Sequence, residues 1–489
     1  MMTFITILYM LLVTLLAAYA AGQVLMLIGY LLSKRLHKPV QSELVMYPDI
    51  TLQLPIFNES AVVQRLLWAI TRLDYPQEKL HIQVLDDSTD HTVHLVRQLV
   101  QEYSEKNFDI RHLHRENRQG FKAGALAEAL EQTESDFIVI FDADFVPEPD
   151  FLKRCLPTLL MNDQIGCVQT RWGHLNADEN ALTKAQRLSV DAHFVIEQSA
   201  RNYFNWLLPF NGTGGIWRKA CIEDAGGWSA ATLTEDFDLS YRAQLKGWKV
   251  RYLSDVVVPG ELPPQLKAYQ RQQARWATGS TQCLKRYALP VLRSDFGLLT
   301  RIMALHHLCQ YIPQLLMLSI LLLSPFVAWA GLMEAWPLAP LSVLGFVPPM
   351  MFLLSQYDTN ADWKKSIIAF PVLLLLATGL IASNTVAIMK GLSGQVISFE
   401  RTPKFSERWQ NSPYALKTTI WSMEVFFLIY SIISLLVAWL YQPEMIIYIA
   451  IYALGFGAVV SWQWLDQYRL TRTPRQQQSL PASKTSSLT

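Results

Sequence analysis

Six stretches of this chain carry no Asp, Glu, Lys or Arg: residues 2–33, 302–333, 335–357, 366–389, 425–443 and 445–465. A helix that crosses a bilayer needs roughly 20 mostly apolar residues, and each stretch is close to that length or longer. Between the first two lies a region of ordinary aqueous composition, residues 40–290. The pattern predicts a membrane protein with one large water-facing domain, and 489 residues leave room for two or three folding units. A net charge of +1 gives nucleic acid no electrostatic hold, so none is expected as a partner.

No basic segment precedes the first stretch and no small-residue cleavage site ends it, so residues 1–33 read as a transmembrane signal anchor. Lys34, Arg35 and Lys38 follow at once, which predicts an outside N-terminus and a cytosolic domain at 40–290. The five cysteines (Cys155, Cys167, Cys221, Cys283 and Cys309) are scattered and lack a CxxC spacing, as reduced thiols would be. On that reading the glycosylation sequons at Asn58 and Asn211 are chance matches. Residues 291–465 hold the remaining apolar stretches. Arg401, Lys404, Arg408 and Lys417 call for the cytosolic side, as do Arg469, Arg472 and Arg475. Parity then makes 366–389 an interfacial or re-entrant helix, with 418–441 and 445–465 the last of five crossings. The Gln-, Ser- and Thr-rich stretch 466–489 is expected to be a disordered tail.

Within the aqueous region, "DITLQLPIF" (49–57), "LHIQVLDDS" (80–88) and "FIVIFDADF" (137–145) read as strands. The stretches 59–73 and 90–103 between them carry apolar residues at helical spacing. This βαβαβ order predicts an α/β fold with an open, mainly parallel sheet and flanking helices. Ligands of such sheets sit beyond the carboxyl ends of the strands, where Asn58 and Glu59, Asp86 and Asp87, and Asp142 and Asp144 fall. Strand residues i and i+2 share a side, so Asp142 and Asp144 can converge. Two close carboxylates repel, and a divalent cation that also takes substrate phosphates removes the penalty. The pair therefore suits Mg²⁺ or Mn²⁺ and a nucleotide diphosphate; the plain alternative is a strand-end turn with solvated aspartates.

"FDADFV" also satisfies the nucleophile pattern of haloacid-dehalogenase-like phosphatases, but that reading leaves the later motifs without a role. Those are "LDDSTD" (85–90), "RQGFKAGAL" (118–126), "FDADFVPEPDFL" (141–152), "FNGTGGIWRKA" (210–220), "GGW" (226–228), "TEDFDL" (234–239), "LKGWKV" (245–250) and "QQARWATG" (272–279). Together and in this order they resemble membrane-bound glycosyltransferase family 2, the group of cellulose and hyaluronan synthases. They are most similar to plant cellulose-synthase-like A and C proteins, which make mannan and the glucan backbone of xyloglucan.

The resemblance implies a GT-A-type fold over about 49–290 and a set of roles. Glu59 and either Asp86 or Asp87 would hold the nucleoside, Lys122 and Arg275 the diphosphate, and Asp142 with Asp144 the metal. Asp236 would be the general base and Glu235 would tune it, although Thr234 followed by acidic residues also reads as a capped helix start. Gln272 and Trp276 would contact the glycan acceptor; a tryptophan there is otherwise an interfacial anchor. "SFERTPKF" (398–405) partly matches the gating loop of cellulose synthase, aligning Phe399, Thr402 and Lys404, while Arg401 replaces a valine.

"FNGTGGIW" lacks the spacing of a dinucleotide fingerprint, and its glycines instead allow backbone close to the sugar. His112 and His114, like His306 and His307, have no third ligand nearby in sequence, so no zinc is expected. The sum is a membrane-embedded, inverting, processive β-glycosyltransferase, with UDP-glucose the first expectation for its donor. The alternatives are a mannan synthase using GDP-mannose and a single-transfer lipid glycosyltransferase. A transporter with an aqueous appendage fits less well, because most of the apolar stretches lack ionisable residues. A bacterial cytoplasmic membrane is the expected location, and accessory subunits are compatible with the pattern.

Overall fold

The computed structural model describes residues 2–36, 44, 46–331, 343–394, 401–405, 409–412, 414–417 and 423–472. A mixed, mainly parallel seven-stranded sheet forms the centre of the aqueous domain, in the order β3-β2-β1-β4-β6-β5-β7. Its strands are β1 (Ile50–Ile56), β2 (Leu80–Asp86), β3 (Asp109–His114), β4 (Phe137–Ile140), β5 (Ile165–His174), β6 (Gly215–Arg218) and β7 (Lys249–Gly260). β1 to β4 run parallel, and β6 runs antiparallel to β4 and β5.

The run "FIVI" has no polar side because both faces of the sheet are covered. Phe137, Val139 and Phe141 join Leu52, Leu66 and Phe151 in one core. Ile138 and Ile140 pack with Leu126, Trp217 and Leu239 in the other. β4 stops at Ile140, so Asp142 and Asp144 stand in the turn after it, not in a strand as expected. The helices in chain order are α1 (Met2–Leu36), α2 (Val63–Ile70), α3 (Thr92–Glu105), α4 (Phe121–Glu131), α5 (Phe151–Leu160) and α6 (Ala181–Asp191). They continue as α7 (Ser199–Phe204), α8 (Lys219–Asp224), α9 (Glu235–Leu245), α10 (Leu266–Arg293), α11 (Leu298–Leu308) and α12 (Ile312–Trp329).

Four helices among the described residues are long and apolar enough to cross a membrane: Phe4–Arg35, Ile312–Trp329, Met423–Tyr441 and Pro443–Thr471. The chain is an integral membrane protein with several spans. In the stretch 335–357, expected to cross, the described helix is Val347–Thr359; its 13 residues reach about 20 Å at 1.5 Å per residue. Asp358, at its end, bonds Tyr30 and Lys34 near the end of α1.

The stretch 366–389 falls in a helix pair, Trp363–Gly379 and Ile381–Ser393, bent by 47°. Ser366 at its start bonds Arg187, and the Leu392 carbonyl at its end accepts from Lys285 Nζ at 3.0 Å. Both ends of the pair thus touch the aqueous domain. The last helix runs through Asp466 to Arg472, into the stretch expected to be disordered, and Asp466 there accepts from the Leu266 N–H at 3.3 Å. The five cysteines are free thiols.

Candidate active site

The carboxyl edge of β1, β2 and β4 faces the start of α9, the middle of α10 and the segment 401–405. Lys122, in the first turn of α4, reaches Asp142 Oδ1 at 2.6 Å, the Gly212 carbonyl at 2.8 Å and Glu235 at 3.6 Å. Burial alone would lower its pKa, but Asp142 and Glu235 more than offset this and hold the ammonium charged. Asp144 is buried, and its Oδ2 accepts from Lys404 Nζ at 2.7 Å and from the Glu261 N–H at 3.0 Å. Each aspartate of the pair therefore has its own ammonium partner.

Asp236 lies in the first turn of α9 and accepts from the Phe237 N–H at 2.8 Å. Burial, with Glu235 beside it, pushes its pKa up to about 7, the range a general base needs. Thr234 does occupy the cap position, but its hydroxyl makes no capping bond. The backbone of "FNGTGG" closes in from the other side. A Cβ on Gly212, whose φ is +85°, would stand 2.9 Å from Asp236 Oδ2, so only glycine lets the chain pass. Thr213 Oγ1 accepts from the Asp142 N–H at 2.9 Å.

Gln272, Arg275 and Trp276 share one face of α10 through their i, i+3 and i+4 spacing. Burial lowers the Arg275 pKa, while Glu235, Asp142, Asp236 and Glu59 act in the opposite sense. Glu59 is pushed up to about 7, chiefly by burial, with Arg401 opposing and Asp144 reinforcing the shift. Thr402 is buried, and its Oγ1 has no hydrogen-bond partner among the described residues. Phe399 lies outside the described residues.

Asp86 and Asp87 stand at the carboxyl end of β2, each with partners from the protein itself. Asp86 is fully buried, accepting from the Ser88 N–H at 2.9 Å and pairing with His112 Nε2 at 2.9 Å. Asp87 pairs with Arg115 through two bonds of 2.7 and 2.6 Å. The resemblance puts the nucleoside at this end of β2, and these bonds fix the orientation of both carboxylates there. His112 and His114 do have a third potential ligand: it is Asp86, delivered by the neighbouring strand.

Glu261 and Arg65, not singled out in the sequence, and Arg401, noted there only for its charge and for replacing a valine, also shape the site. Glu261 bonds Arg65 at 2.6 Å and accepts from the Phe405 N–H at 3.3 Å, and Arg401 approaches Glu59 to 4.0 Å. A carboxylate in "PGELPP" just after a strand was the available signal for Glu261.

Ammonium groups stand against both aspartates of "DAD". The two carboxylates, each now held by an ammonium, are the hard oxygen ligands that a divalent cation takes.

The family described as "Glycosyltransferase like family 2" matches residues 48–279. The aqueous domain belongs to glycosyltransferase family 2. Over 252 residues it is 44% identical to glucomannan 4-beta-mannosyltransferase 2 of Arabidopsis thaliana, covering 51% of this chain and 47% of the relative. With glucomannan 4-beta-mannosyltransferase 1 of Oryza sativa subsp. japonica it shares 42% identity over 252 residues, covering 51% and 48%. The chain thus spans about half the length of the curated relatives it matches.

Among solved structures, the fold is like that of the mannosyltransferase PcManGT from Pyrobaculum calidifontis, in complex with GDP-Man and Mn²⁺. The TM-score is 0.50 at 22% identity, covering 77% of this chain and 99% of that one. Family 2 membership accounts for the motifs from "LDDSTD" to "QQARW" and displaces the phosphatase and transporter readings. Both curated relatives named here are from plants, and the expected bacterial membrane finds no support in them.

Proposed function

We propose that this chain is a membrane-embedded, inverting mannosyltransferase that extends a β-linked mannan or glucomannan from GDP-mannose on the cytosolic side. The single observation that carries the donor is the likeness to glucomannan 4-beta-mannosyltransferases across the catalytic domain. It favours GDP-mannose over UDP-glucose, the first expectation from the sequence.

In this reading Asp236 takes the proton of the acceptor hydroxyl as that oxygen attacks the anomeric carbon. The new glycosidic C–O bond forms on the face opposite the departing GDP, which carries away the electron pair of the broken bond between the anomeric carbon and the phosphate oxygen. A single base opposite the leaving group gives inversion. Lys122 and Arg275 face the diphosphate and stabilise its growing charge. Asp142 and Asp144 would hold a divalent cation, which when bound supplies further neutralisation of the diphosphate. Gln272 and Trp276 present an amide and a flat ring to the acceptor glycan, and Thr402 and Lys404 close over the donor. Repeated transfer with release of the polymer through the membrane helices is the expected mode, and the location of 366–393 with both ends on one side keeps 401–405 at the site.

The test is turnover in lipid nanodiscs with Mn²⁺ and GDP-mannose, UDP-glucose or other donors, following nucleotide release and product size, with Asp236→Asn as control. Polymer from GDP-mannose, lost in the variant, is the expected result. Polymer from UDP-glucose alone would overturn the donor, and a one-sugar lipid product would overturn the polymerase.

A further inference from the structure

We propose that Asp86, His112 and His114 form a binding site for a divalent transition-metal ion of the zinc class, separate from the cation site at Asp142 and Asp144. The inference does not depend on the identity of the sugar donor.

The fold builds this triad from two neighbouring strands. His112 and His114 are i and i+2 on β3, so their rings leave the strand on one side. Parallel pairing sets Asp86, the last residue of β2, directly opposite His114. Asp86 Oδ2 is then 2.9 Å from His112 Nε2 and 3.6 Å from His114 Nδ1. One donor atom from each residue lies within 4.8 Å of the other two. Tetrahedral zinc holds nitrogen and oxygen at about 2.0–2.2 Å, which puts neighbouring ligand atoms roughly 3.3 Å apart. The two carboxylate–imidazole separations fall on either side of that value.

The surroundings also suit a bound ion. Asp86 Oδ1 is fixed by the Ser88 N–H at 2.9 Å, leaving Oδ2 turned to the imidazoles. Ser88 Oγ in turn accepts from the Asn58 N–H at 2.8 Å, tying the carboxylate to the end of β1. Such outer bonds orient a ligating group. The carboxylate is fully buried, while the side chains of His112 and His114 are 12% and 30% exposed, so a fourth ligand can come from solvent on one side. His114 Nδ1 now lies 3.0 Å from the Asp86 carbonyl. Ligation would require the ring to carry its proton on Nε2 and give up that bond.

Ligand chemistry separates this site from the other. Two imidazoles and a carboxylate suit zinc, cobalt or nickel, whereas the all-oxygen pair Asp142 and Asp144 suits magnesium or manganese.

The test uses the full chain in detergent, stripped with a chelator and titrated with Co²⁺. Tetrahedral cobalt with nitrogen ligands absorbs strongly in the visible, and six-coordinate cobalt on oxygen does not. A strong band at one equivalent is expected, displaced by Zn²⁺ and retained in Asp142→Asn. His114→Ala and His112→Ala should each weaken binding by at least about tenfold, the scale of losing one ligand or its orientation. His114 is the more exposed of the two, so its variant decides the matter should His112→Ala fail to fold. No band in the parent protein, or a band unchanged in His114→Ala, overturns the proposal. So does weaker GDP binding in the histidine variants with Co²⁺ binding intact, because the triad would then serve the nucleobase.

Discussion

Lys404 places its ammonium 2.7 Å from Asp144 Oδ2, across 260 residues of sequence. Burial would pull the pKa of this lysine down, but Asp144 and Glu59 raise it on balance, so the charge is held in place. An ammonium thus occupies a carboxylate that the proposed mechanism gives to a metal ion.

Competition between the two follows from that contact. Lys404→Gln should lower the Mn²⁺ concentration for half-maximal turnover by about tenfold, the worth of one charge-assisted hydrogen bond. The same variant should raise the KM for the donor. A metal titration of initial rates checks both.

Asp236→Asn should reduce kcat by about 10²- to 10⁴-fold, the usual contribution of a general base. Donor affinity, read by calorimetry with GDP, should stay within a few-fold of the parent value.

The pH profile should carry the mark of Asp236. An ordinary aspartate titrates near 3.9, but here burial and Glu235 push the value up to about 7. A base acts in its deprotonated form, so kcat/KM should fall as pH drops through about 7. Glu235→Gln removes one negative neighbour, and the limb should move toward lower pH. A limb that stays in place would assign it to another group, Glu59 being the next to test.

Gly212→Ala should abolish turnover while leaving the domain folded. The positive φ of +85° would cost alanine about 1–2 kcal/mol, and the added methyl would press on Asp236 Oδ2. Thermal unfolding beside a turnover assay separates the two effects.

Asp238→Ala should destabilise the protein by about 3–5 kcal/mol, the usual result of stripping one partner from a buried ion pair. Asp238 is fully buried, bonds Tyr287 on α10, and pairs with Arg242 at 2.6 Å. Denaturant unfolding of the detergent-solubilised chain measures the loss.

Local patterns carried much of this architecture. Uninterrupted apolar runs gave away both the membrane helices and the doubly covered strand β4, because burial on all sides leaves no polar phase to hide. Asp142, Asp144, Lys122 and Asp236 were identifiable through their motifs, although the turn after Ile140, not strand alternation, positions the aspartates. Pairing partners were harder to see. Nothing near Asp87 in the sequence announces Arg115, 28 residues away, and Glu261 meets Arg65 across 196 residues. The expectation that His112 and His114 lack a third ligand looked only along the sequence; strand register brings Asp86 beside them, and register is a property of the folded sheet.

The contacts of 401–417 bear on how the enzyme could be dissected. Gln265 Nε2 donates to the Leu416 carbonyl at 2.7 Å, and its Oε1 accepts from the Leu416 N–H at 3.0 Å. Lys404 and Arg401 reach Asp144 and Glu59 from the same stretch. A fragment ending near Arg293 would keep all seven strands yet leave buried Asp144 without Lys404, half-buried Glu59 without Arg401 and Gln265 without its backbone partner. Expressed alone, the catalytic domain would be a complete sheet around an incomplete site, and substitutions should be compared in the intact chain.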